Sequence, residues 1–357
     1  MSALVVVKVG SSSVTTPDGT VDDALLGRLM AELAALAQHG TQAVVVTSGA
    51  IALGWSVLGG GRPRPREVSL LQAVSAVGQP RLLAAWEAAG APVGLPVGQV
   101  LLGSLDFGHR RQYLHARATF AHLLELGVVP VVNENDATTD QEIRYGDNDR
   151  LAALVAQMVG ASHLVLLTDT EGLYTADPRV REDASLIEVV AEVDAELEAA
   201  ATGSRSGVGS GGMASKLAAA KMAAFSGITV TIAAANRARA VTDAVAGEAA
   251  VGTTFAPRQR TLPARKLWIA FARTTAGVLR VDAGAAAALE HGGRSLLLAG
   301  VVGIEGDFDA GEVVEIHDAD GLLAKGLAAE GAERLAQRRA AAAGVEAVHR
   351  DDLVLLR

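Results

Sequence analysis

The sequence predicts an α/β protein: a mostly parallel sheet sandwiched by helices, followed by a small β-rich C-terminal domain. Three observations predict it. Short valine- and leucine-rich runs are apolar throughout rather than alternating, which is the pattern of strands buried on both faces. Between them lie stretches with helical spacing, as crossover connections between parallel strands require. Near residue 260 the texture changes to prolines, basic residues and shorter strand-like pieces.

The elements follow in order. Residues 3–9 read as a fully buried strand, and Leu25, Leu26, Leu29, Leu33 and Leu36 then recur at helical spacing, with Asp22 as the cap and Gly40 as the stop. Further strands are expected at 42–46, 93–101, 128–132, 163–167 and 228–233, and helices at 113–126, 148–159 and 214–225. Pro257, Pro263, Arg258, Arg260, Arg265 and Lys266 mark a domain edge. The expected organisation is a first domain over 1–260, a linker over 261–275 and a second domain over 276–357, with strand-like pieces at 277–281, 312–317 and 353–356.

Composition narrows the function. At 357 residues the chain has room for about two domains. It carries 31 Lys+Arg against 40 Asp+Glu, and this acidic balance argues against a dedicated nucleic-acid binder. With no cysteine there is no disulfide framework, thiolate metal site or cysteine nucleophile. The uncharged stretches 40–61 and 88–105 are interrupted by glycines, or by Pro92 and Pro96, so neither reads as a membrane span. No signal peptide is recognisable, and a cytoplasmic location is expected.

Polar clusters close strand after strand. Lys8, Gly10, Ser11, Ser12 and Ser13 end the first, and Thr47-Ser48-Gly49 the second. Asn133-Glu134-Asn135-Asp136 and Thr168-Asp169 end two more. Each alone reads as a turn with capping residues. At one edge of a parallel sheet they would line a single crevice, where ligands of such sheets bind. Lys8 is then either an edge charge reaching solvent or a point charge beside exposed amides, a setting suited to phosphate.

Two further segments carry charge. The glycine-rich stretch 203–216 runs into an alanine-rich helix with Lys216 in its first turn. It contains a G-x-G-x-x-G match, but no strand leads into it and the first acid after Gly212 is Asp243, so the dinucleotide fingerprint is rejected. It reads as a flexible linker or as an anion-binding loop at a helix start. At 144–151, Asp147, Asn148 and Asp149 open a helix; capping needs only one acid, and a second suggests a held lysine or ammonium group. The eight histidines show no metal-ligand spacing, and no metal site is assigned. Two lysines facing phosphate-like groups, with acids and amides for a polar substrate, point to phosphoryl transfer.

Six stretches together resemble the amino-acid kinase family: VVVKVGSSSV (5–14), VVVTSGAIALG (44–54), VVPVVNENDA (128–137), YGDNDRLAALVA (145–156), LLTDTEGLYTADPR (166–179) and GVGSGGMASKLAAA (207–220). NENDA and GLYTADPR place the resemblance in the branch that phosphorylates the side-chain carboxylate of L-glutamate, the opening step of proline synthesis. The resemblance implies ATP as donor, Mg²⁺ accompanying it, proline as feedback inhibitor and a homo-oligomer. It implies Lys8 and Lys216 as catalytic cations, with Asp149 orienting them. Ser48, Asp136 and Asn148 match positions that hold glutamate. Lys8, Thr168, Asp169, Ser210, Gly211, Gly212, Met213, Ala214, Ser215 and Lys216 match the nucleotide site. Ser210 and Ala214-Ser215 depart from the pattern's threonine and serine-threonine. The tail from about residue 276 resembles a PUA domain. It holds 8 Lys+Arg against 14 Asp+Glu and one aromatic residue, Phe308, so a regulatory or assembly role is expected in place of RNA binding.

Overall fold

The structure is a computed structural model that describes residues 3–16, 18–103, 106–107, 109–138, 147–176, 180–181, 183–193, 197, 212–258, 263–272, 275–339 and 344–356. The chain divides into two compact units, Met1–Thr261 and Leu262–Arg357.

In the first unit the strands are β1 (Leu4–Val9), β2 (Gln42–Thr47), β3 (Val97–Leu102), β4 (Val129–Glu134), β5 (His163–Thr168), β6 (Val189–Val190), β7 (Thr229–Ala234) and β8 (Thr253–Phe255). They form one sheet in the order β3-β4-β2-β1-β5-β7-β8-β6. All neighbours from β3 to β7 run parallel, and β8 alone pairs antiparallel with β7. Every residue of β1 is buried, which explains why LVVVKV is apolar apart from Lys8. The expected strand at 93–101 begins later, because Pro92 sits in a 3₁₀ turn, Ala91–Val93, and Gly94 takes a left-handed conformation before the chain extends.

The helices are a single turn α1 (Ser11–Val14), α2 (Asp23–Gln38), α3 (Ala50–Leu58), α4 (Val68–Gly90), α5 (Arg110–Glu125), α6 (Asp147–Val159), α7 (Met213–Ala224) and α8 (Ala240–Ala246). Asp22 caps α2 by accepting from the Leu25 N–H at 2.9 Å, and Gly40 follows at φ +78°. Leu25, Leu26, Leu29, Leu33 and Leu36 are all buried, so the leucine spacing marks the core face of α2.

Sequence periodicity gave no sign of α4, the longest helix of the unit. It carries Pro80 in its interior, a residue that normally ends a helix. It packs closely on α3: a Cβ built on Gly78 would lie 1.7 Å from the Ala50 carbonyl oxygen, and one on Gly54 would lie 2.0 Å from that of Val74. Only glycine allows two backbones to approach so far.

In the second unit the strands are β9 (Gly277–Val281), β10 (Leu296–Leu297), β11 (Val301–Gly306), β12 (Val313–Asp318), β13 (Gly321–Ala328) and β14 (Glu346–Leu355), in the order β10-β14-β13-β12-β9-β11. The pairing is antiparallel except between β9 and β12. Its core is built on Leu279, Leu289, Phe308, Ile316, Leu323 and Leu335. Inside the stretch expected as a linker, Ala264–Leu267 is helical and Trp268–Ala272 continues as a π-helical turn. Ile269 and Ala270 there pack with Val354, within the second unit.

Candidate active site

Strand direction settles where the polar clusters lie. Because β1, β2, β4 and β5 run parallel, their carboxyl ends emerge on one edge of the sheet. Lys8 lies near the end of β1, level with Val46 on β2 and Leu166 on β5. Thr47-Ser48, Asn133 and Thr168 sit at the neighbouring strand ends. Chain order reverses across β1, which has β2 on one side and β5 on the other. Open sheets of this kind bind ligands at such a point.

Three charges meet there. The Lys8 Nζ lies 2.7 Å from Asp149 Oδ1, and the Lys216 Nζ 3.4 Å from Asp149 Oδ2. All three are buried, at 4 %, 5 % and 0 % exposure for Lys8, Lys216 and Asp149. Withdrawing an ion from water costs several kcal/mol, so a buried lysine requires a counter-charge. Asp149, in the first turn of α6, serves both lysines and leaves the trio one positive charge in excess. Burial pushes the Lys8 ammonium below the usual lysine value of 10.5, outweighing the opposing pull of Asp149. Burial alone would raise the Asp149 carboxyl, but Lys8 and Lys216 together hold it below 3.8.

Ser215 adds to this trio. Its hydroxyl is 2.7 Å from Asp149 Oδ2 and 2.9 Å from the Gly212 carbonyl oxygen. At a position where the sequence departs from the family pattern, a side-chain hydroxyl is therefore still present and bonded to the central carboxylate. Gly212, Met213 and Ala214 form the start of α7, whereas Ser210 and Gly211 lie outside the described residues. The Thr168 hydroxyl donates to Asp169 Oδ1 at 3.0 Å, tying together the pair at the end of β5.

A second group is neutral. Asn148, beside Asp149 on α6, donates from Nδ2 to the Ser48 hydroxyl at 2.8 Å and to Asn133 Oδ1 at 3.1 Å. Ser48 is set by Gly49, whose φ of +116° lets the chain turn sharply from β2 into α3. Asp136 accepts a hydrogen bond from Ser75 on α4 at 2.7 Å. Sequence reasoning missed Ser75 and Gln79, because both ride on the unrecognised α4. Their i, i+4 spacing, which puts them on one helix face, was the available signal.

The model of the amino acid kinase family matches residues 3–234, and that of the PUA domain residues 277–348. A glutamate 5-kinase of Geobacter sp. (strain M21) is 43% identical, covering 99% of this chain and 97% of the relative. Glutamate 5-kinases of Frankia casuarinae and Myxococcus xanthus are each 47% identical, covering 99% of this chain and 96% of their own. Among solved structures, UMP kinase from Ureaplasma parvum superposes with a TM-score of 0.50 at 14% identity, covering 72% of this chain and 99% of that one, and so shares the fold. Family models over both units and full-length relatives lead to one conclusion: the chain belongs to the amino acid kinase family, in its glutamate 5-kinase branch, and carries a C-terminal PUA domain.

Proposed function

We propose that Lys8, Lys216 and Asp149 are the phosphoryl-transfer machinery of an enzyme that phosphorylates the side-chain carboxylate of L-glutamate with ATP, giving L-glutamyl 5-phosphate and ADP. This is the first step of proline biosynthesis. One observation carries the reading of the site: two buried ammonium groups held on a single carboxylate at the switch point of a parallel sheet. Donor and acceptor are both anions, so their approach needs positive charge between them. In the transfer, a carboxylate oxygen of glutamate forms a bond to the γ-phosphorus as the bond to the β,γ-bridging oxygen breaks, and the electron pair leaves with ADP. The ammonium groups of Lys8 and Lys216 face the charge that spreads over the moving phosphoryl oxygens. Asp149 holds both in place beforehand, so little reorganisation is needed at the transition state.

Ser48, Asp136 and Asn148 are proposed to hold glutamate. Lys8, Thr168, Asp169 and the segment from Ser210 to Lys216 are proposed to hold the nucleotide. Bound together with ATP, Mg²⁺ would supply further positive charge to the triphosphate. That role needs few protein ligands, because Mg²⁺ keeps several phosphate and water oxygens. Among the described residues, no three His, Asp or Glu side chains converge into a cage. Feedback by L-proline, self-association and a cytoplasmic location are supported by the family resemblance. No helix among the described residues is long and apolar enough to cross a membrane. The acidic tail supports a regulatory or assembly role for the second domain, and tight, salt-sensitive RNA binding by the full chain would overturn it.

The test is ADP release that depends on L-glutamate, with L-aspartate as control and the acyl phosphate trapped as its hydroxamate. Release that is equally fast with aspartate, or absent with glutamate, overturns the reading.

A further inference from the structure

The amide groups around Asn148 have a fixed polarity, and the backbone sets it. The Glu134 N–H can only donate, and it does so to Asn133 Oδ1 at 2.9 Å. The Glu134 carbonyl can only accept, and it takes a bond from Gln79 Nε2 at 3.2 Å. These two peptide atoms orient both side-chain amides without ambiguity. They leave Asn133 Nδ2 to donate to Gln79 Oε1 at 3.3 Å, an oxygen that also accepts from Gln99 Nε2 at 3.4 Å. Asn133 Oδ1 then faces Asn148, which must present its Nδ2. The second Nδ2 proton goes to Ser48. The Asn148 nitrogen is thereby used up, and its Oδ1 is buried with no partner among the described residues.

A buried carbonyl oxygen without a donor costs roughly 1–3 kcal/mol, so the site is complete only when a ligand brings an N–H. L-Glutamate, unlike a plain dicarboxylate, carries an ammonium group. We propose that Gln79 is a positioning residue for substrate selectivity. By accepting from Asn133 Nδ2 it holds in place the carboxamide that the Glu134 N–H orients, and so keeps Asn148 with its unpartnered oxygen free for the substrate. The enzyme then favours a carboxylate substrate that also bears an ammonium over its deaminated analogue. Gln79 itself need not touch substrate. The inference rests on the reading of L-glutamate as acceptor.

The experiment compares kcat/KM for L-glutamate and for glutarate in the wild type, in Gln79→Leu and in Gln79→Glu, with the KM for ATP and the melting temperature alongside. In Gln79→Leu, Asn133 loses its acceptor and Asn148 its support. The glutamate-to-glutarate ratio is expected to fall at least about tenfold, about 1.4 kcal/mol, with glutarate turnover and the ATP KM near wild type. A purely structural defect lowers both substrates together and leaves the ratio intact, which overturns the inference. Should Gln79→Leu fail to fold, Gln79→Glu decides. Its protonated acid can donate to the Glu134 carbonyl and accept from Asn133 as the amide does, so the ratio should recover as pH falls. A ratio that does not change with pH overturns the inference. A wild type inactive on glutamate overturns the functional reading instead, whatever the variants do.

Discussion

The two ends of the site solve different problems with different chemistry. At one, Lys8, Asp149 and Lys216 are charge-bearing side chains withdrawn from water, with both lysines held on the one carboxylate. At the other, Ser48, Asn133, Asn148 and Gln79 are neutral, and their order comes from direction: each amide oxygen faces a donor, save that of Asn148, and the Asn148 nitrogen faces two acceptors. Charge acts over distance and suits a moving phosphoryl group whose position changes during the reaction. Directional hydrogen bonds suit a substrate that must be recognised before anything moves. Asn148 and Asp149 are neighbours on the first turn of α6, so a single helix start serves both ends.

Breaking the charged end should have the largest effect. Asp149→Asn keeps the shape but takes the shared carboxylate charge away from two buried ammonium groups. Loss of one partner from a buried ion pair costs about 3–5 kcal/mol, so thermal denaturation should show a lowered midpoint, and turnover should fall at least about 10³-fold. Next in size, Lys216→Met should lower kcat about 10²–10³-fold while the KM for glutamate stays within a few-fold. An unchanged kcat would remove Lys216 from the chemistry. At the neutral end, Ser48→Ala removes one acceptor of the Asn148 amide. The loss of about 1 kcal/mol should raise the KM for glutamate about fivefold, with kcat little changed.

The smallest effect is on pH dependence, and its sign follows from burial. The free enzyme's Lys8 sheds its proton below the ordinary lysine value of 10.5, so the alkaline limb of kcat/KM should fall at a lower pH than an exposed lysine would give. Asp149, held below 3.8, stays ionised through the mildly acid range and contributes no acid limb there. Stability links to the same shifts. The Asp149 contribution is complete above about 3.8 and is lost as pH falls through its depressed native value. For Lys8, stability increases as pH rises from its native value toward 10.5, where the unfolded chain still holds the extra proton. A kcat/KM profile and denaturation midpoints across pH check both directions.

Legibility in the sequence followed burial. β1, β2, β4, β5 and β7 could be read because central parallel strands are buried on both faces and so are mostly apolar, with few polar residues such as Lys8 and Asn133. The Asp22 cap and Gly40 stop of α2 were equally plain. α4 was not, since its sequence combines small residues with an internal Pro80, and the small residues reflect contact with α3 rather than helical propensity. The polar strand ends could be found one by one, but their meeting at one edge depends on strand order, which no local pattern encodes. The approach of Lys8, Asp149 and Lys216 joins residues more than sixty positions apart along the chain. In the sequence it was suggested by family resemblance and by the excess acid at the start of α6. The ordering of the amides by Glu134 could not be read at all, because backbone N–H and carbonyl positions exist only once β4 is formed.

The contact between α3 and α4 has a mechanical consequence. With Gly54 and Gly78 letting the two backbones touch, the helices have no cushion of side chains across which to slide. The turn that presents Ser48 and the helix that presents Ser75 and Gln79 therefore travel as one stiff bar. Any closing of the first unit around a ligand is then expected to pivot at joints outside this pair, leaving Ser48, Ser75 and Gln79 in the same mutual arrangement.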